Sequence, residues 1–309
     1  MFRVLEMREI EYLVQNKNTI ILPAYAKINL YLKIENKRSD NYHNLKMIMQ
    51  EISLCDDVQI SVSDDEKGEL AVSMYDDSFN VLNDIEMKSN IVYKIALDFL
   101  KEYKIKNSVD IKIIKRIPVM AGLAGGSSDG AAALLGLNMY FELGLSNKEL
   151  SDFAVRYGAD IPFCLRGGLM KAASVGEQLE PLPYALKKYV LLAVPNKRIS
   201  TKEAFCIYDK KGSALGTDYL DKILDSFKNN DNSYLNFLSN DFEEIAEESV
   251  PDIRELKNCF LENGALKTMV TGSGSAVFAL FDDFKSADIC YKKMRKINMS
   301  RMFFSKTLL

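Results

Sequence analysis

Residues 118–133 read Pro118-Val-Met-Ala-Gly-Leu-Ala-Gly-Gly-Ser-Ser-Asp-Gly-Ala-Ala-Ala133, and the rest of the chain is best read outward from them. Gly122, Gly125 and Gly126 let the backbone take positive φ and approach a ligand closely. At Ser127 the chain passes into an Ala/Leu-rich run that reads as a helix to Leu143, stopped by Gly144. Unpaired amides at a helix start, with a glycine nest before them, attract an anion such as phosphate. The hydroxyls of Ser127 and Ser128 can add contacts to phosphate or to its Mg2+. The plain alternative is a helix cap after a tight turn.

Three sharper motifs compete for these residues. A Walker A loop ends in G-K-[ST], and no lysine follows these glycines. A dinucleotide fingerprint needs G-x-G-x-x-G, whereas the spacing here is Gly122-x-x-Gly125-Gly126. Gly126-Ser-Ser128-Asp-Gly130 does match the G-x-S-x-G nucleophile elbow. That fold orders its triad serine, acid, histidine, and the single histidine, His43, lies upstream of the serine. All three readings fail.

Nearer the start, Ala24-Tyr-Ala-Lys27-Ile-Asn29-Leu-Tyr-Leu32 puts a lysine and an asparagine on one face of an otherwise apolar strand. A buried ammonium is costly unless paired, so Lys27 calls for a carboxylate partner or a cleft. A lysine guarding an edge strand is the alternative. The candidate partner is Asp160, in Tyr157-Gly-Ala-Asp160-Ile-Pro162-Phe163. An acid beside a lysine stays ionised and can accept a hydroxyl proton. An aspartate in a turn before proline is the plainer reading. Val270-Thr-Gly272-Ser-Gly274-Ser275-Ala-Val277 is a turn between strands whose backbone can also hold a ligand.

The 309 residues suggest about two domains, with a boundary near Pro181 and Pro183. We divide the chain into a 1–18 extension, a 19–185 domain and a 186–309 domain. Strands are expected at Thr19–Leu22, Ala26–Ile34, Val58–Val62, Glu69–Ser73 and Val109–Ile114, and a helix at Asn90–Tyr103. Ser146 with Glu149, and Ser200 with Glu203, have capping-box spacing, and Pro251 and Asn263-Gly264 bracket a further helix. Strands follow at Tyr189–Val194, Lys267–Val270, Ala276–Phe281 and Arg301–Lys306, with a helix before the last. Strands crowd the first 115 residues and mix with helices later, which is an α+β pattern and not a doubly wound sheet.

Composition narrows the partners. Hydrophobic residues at 48% and charged residues at 27% exclude disorder and collagen-like repeats. With 40 basic and 43 acidic residues the net charge is -3, without the footprint of a nucleic-acid or anionic-membrane binder. Cys55, Cys164, Cys206, Cys259 and Cys290 are scattered, with no C-x-x-C, which argues against a disulfide framework or zinc site and for a reducing compartment. One histidine leaves little for His-rich metal sites. The start carries Glu6, Glu9 and Glu11, unlike a signal or transit peptide, and five glycines and Asp129 interrupt the least polar stretch, Ile117–Phe141. The expectation is a soluble cytoplasmic protein with a small-molecule substrate and no nucleic-acid or membrane partner.

Taken together, these segments resemble the GHMP small-molecule kinases, which include galactokinase, homoserine kinase, mevalonate kinase and phosphomevalonate kinase. Ala26-Lys27-Ile-Asn29-Leu30, followed by Arg38-Ser-Asp40-Asn-Tyr42-His43-Asn-Leu45, is similar to the signatures of members acting on a cytidine-diphosphate-linked methylerythritol. Ala121–Ser128, Gly158–Phe163 and Gly272-Ser-Gly274 match the family's phosphate loop, catalytic-acid segment and third glycine motif. The resemblance spans about Leu22 to the C-terminus.

It implies a ribosomal-protein-S5-like N-terminal domain, a ferredoxin-like C-terminal domain and a cleft between them, in a monomer or homodimer. It also implies ATP with Mg2+ as phosphoryl donor and the 2-hydroxyl of the cytidyl-linked polyol as acceptor, in non-mevalonate isoprenoid precursor biosynthesis. By position Asp160 is the proton acceptor, and Lys27 orients it and offsets phosphoryl charge. The triphosphate cradle is Pro118, Val119, Met120, Ala121, Gly122, Leu123, Ala124, Gly125, Gly126, Ser127 and Ser128, while Asn90 and Lys115 contact the nucleotide. Asn29, Tyr42, His43, Phe205, Gly272, Ser273 and Gly274 belong to the acceptor side, with Tyr42 and His43 at the cytosine and Phe205 as an opposing aromatic face. Metal ligands stay unassigned between Ser128 and Asp129. Three positions depart from the pattern: Asn41 stands where the family has glycine, Tyr25 where it has proline, and Gly130 where it has alanine. Asparagine tolerates the left-handed turn a glycine would take. Residues 1–18 extend beyond the usual family start, with Met7 an alternative start, and carry no assigned function.

Overall fold

Two long strands carry much of the architecture, Thr19–Lys37 (β2) and His43–Val62 (β3), joined by a turn in which Asn41 takes φ 68°. Asparagine thus supplies the left-handed turn in place of glycine. The computed structural model describes residues 13–16, 18–82, 89–211, 217–297 and 300–309. In it, β2 runs straight through Pro23, where the sequence suggested two strands, and β3 is far longer than the expected Val58–Val62. The polar run that hid β3 finds partners over long range. Gln50 donates to the carbonyl of Leu308 at 2.7 Å, and the Glu51 carboxylate accepts the Gly168 amide at 3.2 Å, so both are buried within the strand.

The chain forms two compact units, neither continuous in sequence. The first takes in the described residues up to Ala26, then Cys55–Ile117 and Ala124–Gly167. Here Leu13–Asn16 (β1), inside the stretch given no function, pairs antiparallel with β2. Leu70–Tyr75 (β4) and Val109–Ile114 (β5) are parallel neighbours linked through helix Ile91–Glu102 (α1), and β5 pairs antiparallel with β3, Asp57 opposite Ile114. Helices Gly125–Tyr140 (α2), Asn147–Ala154 (α3) and Ile161–Arg166 (α4) complete the unit. α2 is buried without interruption from Ser128 to Asn138, which explains why it is apolar on every face. A Cβ at Gly130 would stand 2.8 Å from Ile95 Cδ1, so glycine makes room for this chain's isoleucine where the family pattern has alanine. Ser146 and Glu149 form the reciprocal cap expected of α3.

The second unit comprises Lys27–Leu54, Pro118–Leu123 and Gly168–Leu309. Leu169–Ser174 (β6) pairs with β3 and with Gln178–Pro181 (β7), neither of which the sequence reading included. Then come Tyr189–Pro195 (β8), Thr201–Lys211 (α5), Leu220–Lys228 (α6), a 3-10 turn at Asn232–Asn236, and Ser239–Asn240 (β9), which is parallel to β2. Glu243–Ser249 (α7), Asp252–Glu262 (α8), Lys267–Val270 (β10), Val277–Phe281 (β11), Phe284–Met294 (α9) and Ser300–Lys306 (β12) follow. The order β10-β11-β8-β12, all antiparallel, with α8 and α9 as the crossovers, is the ferredoxin-like β-α-β-β-α-β arrangement. Leu191, Ile253, Leu256, Phe260, Val277 and Phe281 form its core. Among the described residues no helix is long and apolar enough to cross a membrane.

Candidate active site

In the second unit, the lysine and asparagine of β2 meet the third glycine turn. Lys27 Nζ donates to Asn29 Oδ1 at 2.7 Å, and the same oxygen accepts the Gly272 amide at 3.1 Å. Thr271 Oγ1 accepts the Asn29 amide at 3.0 Å and donates to the Gly122 carbonyl at 3.4 Å. Asn240 Nδ2 closes the turn from beneath by donating to the carbonyls of Val270 and Gly272. Gly122, at φ 77°, fits only as glycine, because a Cβ there would lie 2.1 Å from the Thr271 carbonyl oxygen. Residues 118–123 are thereby held against the 271–274 turn, with the Ala276 amide donating to Ala121 O and the Lys27 amide to Leu123 O. Val119 and Met120 remain exposed at the loop tip. Ser273 is buried, its hydroxyl 3.0 Å from that of Thr201.

The first unit holds the other end of the loop. Ala124 takes φ 58° immediately before α2, so the free amides at Gly125–Ser127 begin the helix, two residues earlier than the sequence suggested. Ser128 is buried and donates to the Tyr25 carbonyl at 2.6 Å, while Ser127 stays partly exposed. A Cβ at Gly158 would lie 3.5 Å from Ser127 Oγ, so the Tyr157–Asp160 turn stands beside the start of α2. Asp160 occupies the residue before α4 without capping it, which leaves its carboxylate unengaged by that helix end. Asn90 caps α1, accepting the Val92 amide at 2.8 Å.

Lys115 lies beneath the loop, its ammonium bonded to Asp56 and, at 2.6 Å, to Asp129. Burial lowers the lysine's pKa, but the facing Asp129 and Asp56 outweigh it and hold the pKa above the ordinary lysine value. Burial also drives the Asp129 carboxyl well above the usual carboxylate range, against the pull of Lys115 and with repulsion from Asp56. The sequence reading did not find Asp56 or Thr271. Thr271 lies in the third glycine segment but its hydroxyl's partners are set by the fold, and the pairing of β3 with β5 is what brings Asp56 to Lys115.

At the Arg38–Leu45 signature, His43 is buried with Nε2 2.8 Å from Asp209 Oδ1, and Lys37 binds the other oxygen of that acid. The Lys37 hydrogen bond holds the Asp209 carboxyl below its ordinary value. Phe205 stacks on the imidazole at 4.8 Å and 13°, and Tyr208 meets it edge-on. Phe205 is therefore an aromatic partner of His43, with no room for a ring between the two. Tyr42 is 64% exposed, on the turn braced by Asp40, whose carboxylate accepts from Arg38 and the Tyr42 amide.

The first unit thus holds a glycine-flanked helix start with the Tyr157–Asp160 turn beside it, and the second a glycine turn tied to a strand lysine and an aromatic cluster around His43. Residues 90–168 match the GHMP kinases N terminal domain and residues 218–299 the GHMP kinases C terminal domain. The 4-diphosphocytidyl-2-C-methyl-D-erythritol kinase of Clostridium beijerinckii is 36% identical, covering 93% of this chain and 99% of the relative. That of Clostridium tetani is 37% identical over the same shares. A crystal structure of 4-(cytidine 5'-diphospho)-2C-methyl-D-erythritol kinase superposes with a TM-score of 0.75 at 26% identity, covering 93% of this chain and 98% of that one. Homoserine kinase from Cytophaga hutchinsonii shares the fold, with a TM-score of 0.72 at 20% identity over 96% and 97% of the two chains. With relatives this similar over nearly its whole length and both family domains in order, the chain belongs to the GHMP kinases.

Proposed function

We propose that the protein transfers the γ-phosphoryl group of ATP to the 2-hydroxyl of 4-diphosphocytidyl-2-C-methyl-D-erythritol, giving the 2-phosphate and ADP, in non-mevalonate isoprenoid precursor biosynthesis. The observation that carries this reading is the near full-length kinship to kinases named for that substrate. The site chemistry agrees with it. Positive φ at Met120, Gly122 and Ala124 is the backbone pattern of an anion-binding nest, and the start of α2 adds its dipole. These features fit a triphosphate.

In the transfer, the acceptor oxygen bonds to the γ-phosphorus, the bond to the β–γ bridging oxygen breaks, and ADP leaves. Asp160 takes the proton of the acceptor hydroxyl. Lys27, set by Asn29, offsets charge on the moving phosphoryl group. Mg2+, when bound with the nucleotide, would supply positive charge to offset that of the triphosphate. Ser127, partly exposed at the start of α2, is the hydroxyl that would hold it, in keeping with the preference of Mg2+ for oxygen ligands and retained water, whereas Ser128 is buried on the Tyr25 carbonyl. Asp129 is already committed to Lys115. On the acceptor side, the exposed face of Tyr42 supplies a stacking platform for the cytosine, with His43 held at its edge by Asp209. None of the five cysteines, all among the described residues, is in a disulfide, which suits a reducing cytoplasm.

The reading is tested by incubating the protein with Mg-ATP and the cytidyl-linked methylerythritol and following the mixture by phosphorus NMR. A new phosphomonoester resonance growing in step with ADP is expected. ATP hydrolysis to inorganic phosphate alone would reject the acceptor.

A further inference from the structure

Both ends of the glycine loop are anchored on one buried bridge. At its entry, the amides of Arg116 and Ile117 donate to Asp56 Oδ1, the latter at 2.8 Å, where the chain leaves β5. At its exit, Asp129 sits one turn into α2 with Oδ2 2.6 Å from Lys115 Nζ. Lys115 joins the two by donating to the second oxygen of Asp56 as well. Asp56 and Asp129 are almost wholly buried, and Lys115 nearly so. The ammonium lies close under the loop, 3.4 Å from where a Cβ of Gly125 would be. Asp129 Oδ1 is buried without a hydrogen-bond partner, so the residue's visible work is its bond to Lys115.

We propose that Asp56 and Asp129 are positioning residues for ATP, acting through Lys115 to hold the entry and exit of the 118–128 loop at a fixed separation, so that its amides are set for the triphosphate before it arrives. This rests on the reading of that loop as the ATP cradle. Two acids and one ammonium leave the bridge without net positive charge, so its contribution is geometry and not direct attraction of phosphate. Buried ion pairs are costly to form and damaging to break at one end, which makes such a bridge better suited to fixing a conformation than to adding stability. Preset donors lose less on binding than donors that must first be ordered.

The test compares wild type with Asp129→Ala and Asp129→Asn, reading Mg-ATP affinity by calorimetry, KM for the cytidyl acceptor, kcat and thermal unfolding. Asp129→Ala is expected to weaken Mg-ATP binding about tenfold or more, with the acceptor KM unchanged. Asp129→Asn, whose amide oxygen still accepts from Lys115, is expected to recover most of that loss. Unaltered Mg-ATP affinity in folded Asp129→Ala overturns the proposal, as does an equal loss for ATP and acceptor that Asn fails to rescue. If Asp129→Ala does not fold, Asp56→Asn decides: weaker Mg-ATP binding with unchanged acceptor KM supports the bridge, and unchanged Mg-ATP binding overturns it. A wild-type protein that binds no Mg-ATP instead overturns the reading of the loop itself.

Discussion

Asn29 Oδ1 accepts the Gly272 amide at 3.1 Å while receiving the Lys27 ammonium at 2.7 Å, so one buried oxygen ties the strand lysine to the third glycine turn. Asn29→Leu keeps the volume but leaves a buried N–H and an ammonium without that acceptor. Loss of a buried hydrogen-bond partner costs about 1–3 kcal/mol. Denaturant unfolding is expected to register a loss in that range, accompanied by lower kcat as Lys27 is released. Unchanged stability would mean that water replaces the asparagine at no cost.

Asp160, the proton acceptor in the proposed function, does not cap its own helix. Asp160→Asn is expected to lower kcat by about 10²–10⁴-fold, the usual scale of a lost general base. Mg-ATP affinity and unfolding temperature should stay at wild-type values. Near-normal turnover would remove the catalytic role.

Tyr42 projects from its turn with most of its surface in solvent, so nothing in the fold depends on its ring. Stacking a base on an aromatic side chain is worth about 1–3 kcal/mol. Tyr42→Ala is therefore expected to raise the acceptor KM roughly tenfold, with the ATP KM and thermal stability unmoved. Steady-state kinetics with each substrate varied in turn separates the two. An effect on ATP alone would place Tyr42 elsewhere in the reaction.

Asp218 links α6 to β2 and β3, accepting from Tyr31 and Lys46, each at 2.8 Å. Burial alone would raise its pKa, but the Lys46 ammonium, the Leu220 amide and the Tyr31 hydroxyl outweigh it and bring it down to about 2. A depressed folded-state pKa gives stability that is present above the unfolded carboxylate value and is lost as pH falls through the folded one. Between about pH 4 and pH 2 the wild type should therefore lose more stability than Asp218→Asn, which has no proton to take up at that position. Thermal unfolding across this range checks the sign, and parallel curves would contradict it.

The helix caps were legible because they are local: Ser146 with Glu149, Ser200 with Glu203, and Asn263-Gly264 all lie within a turn of the helix they bound. The ferredoxin-like order was legible through resemblance, and its strands through short apolar runs. β3 was not, since Gln50, Glu51 and Asp56 break its alternation and find hydrogen-bond partners far away in sequence. The same limit hid the Asp56–Lys115–Asp129 bridge, which depends on the register of β3 against β5. The glycine loop was conspicuous in sequence, whereas its support by Thr271 and Asn29 required the fold. Phe205 was expected opposite the cytosine, and in the fold its ring lies against His43.

The central claim is phosphoryl transfer from ATP to the cytidyl-linked polyol. Its most direct test is ADP release by the purified protein with Mg-ATP and, in separate reactions, that polyol, homoserine, galactose and mevalonate. Turnover with the cytidyl substrate alone is the predicted result. Turnover with another alcohol would contradict the assigned acceptor, and Mg-ATP binding without release of ADP in any reaction would contradict kinase activity itself.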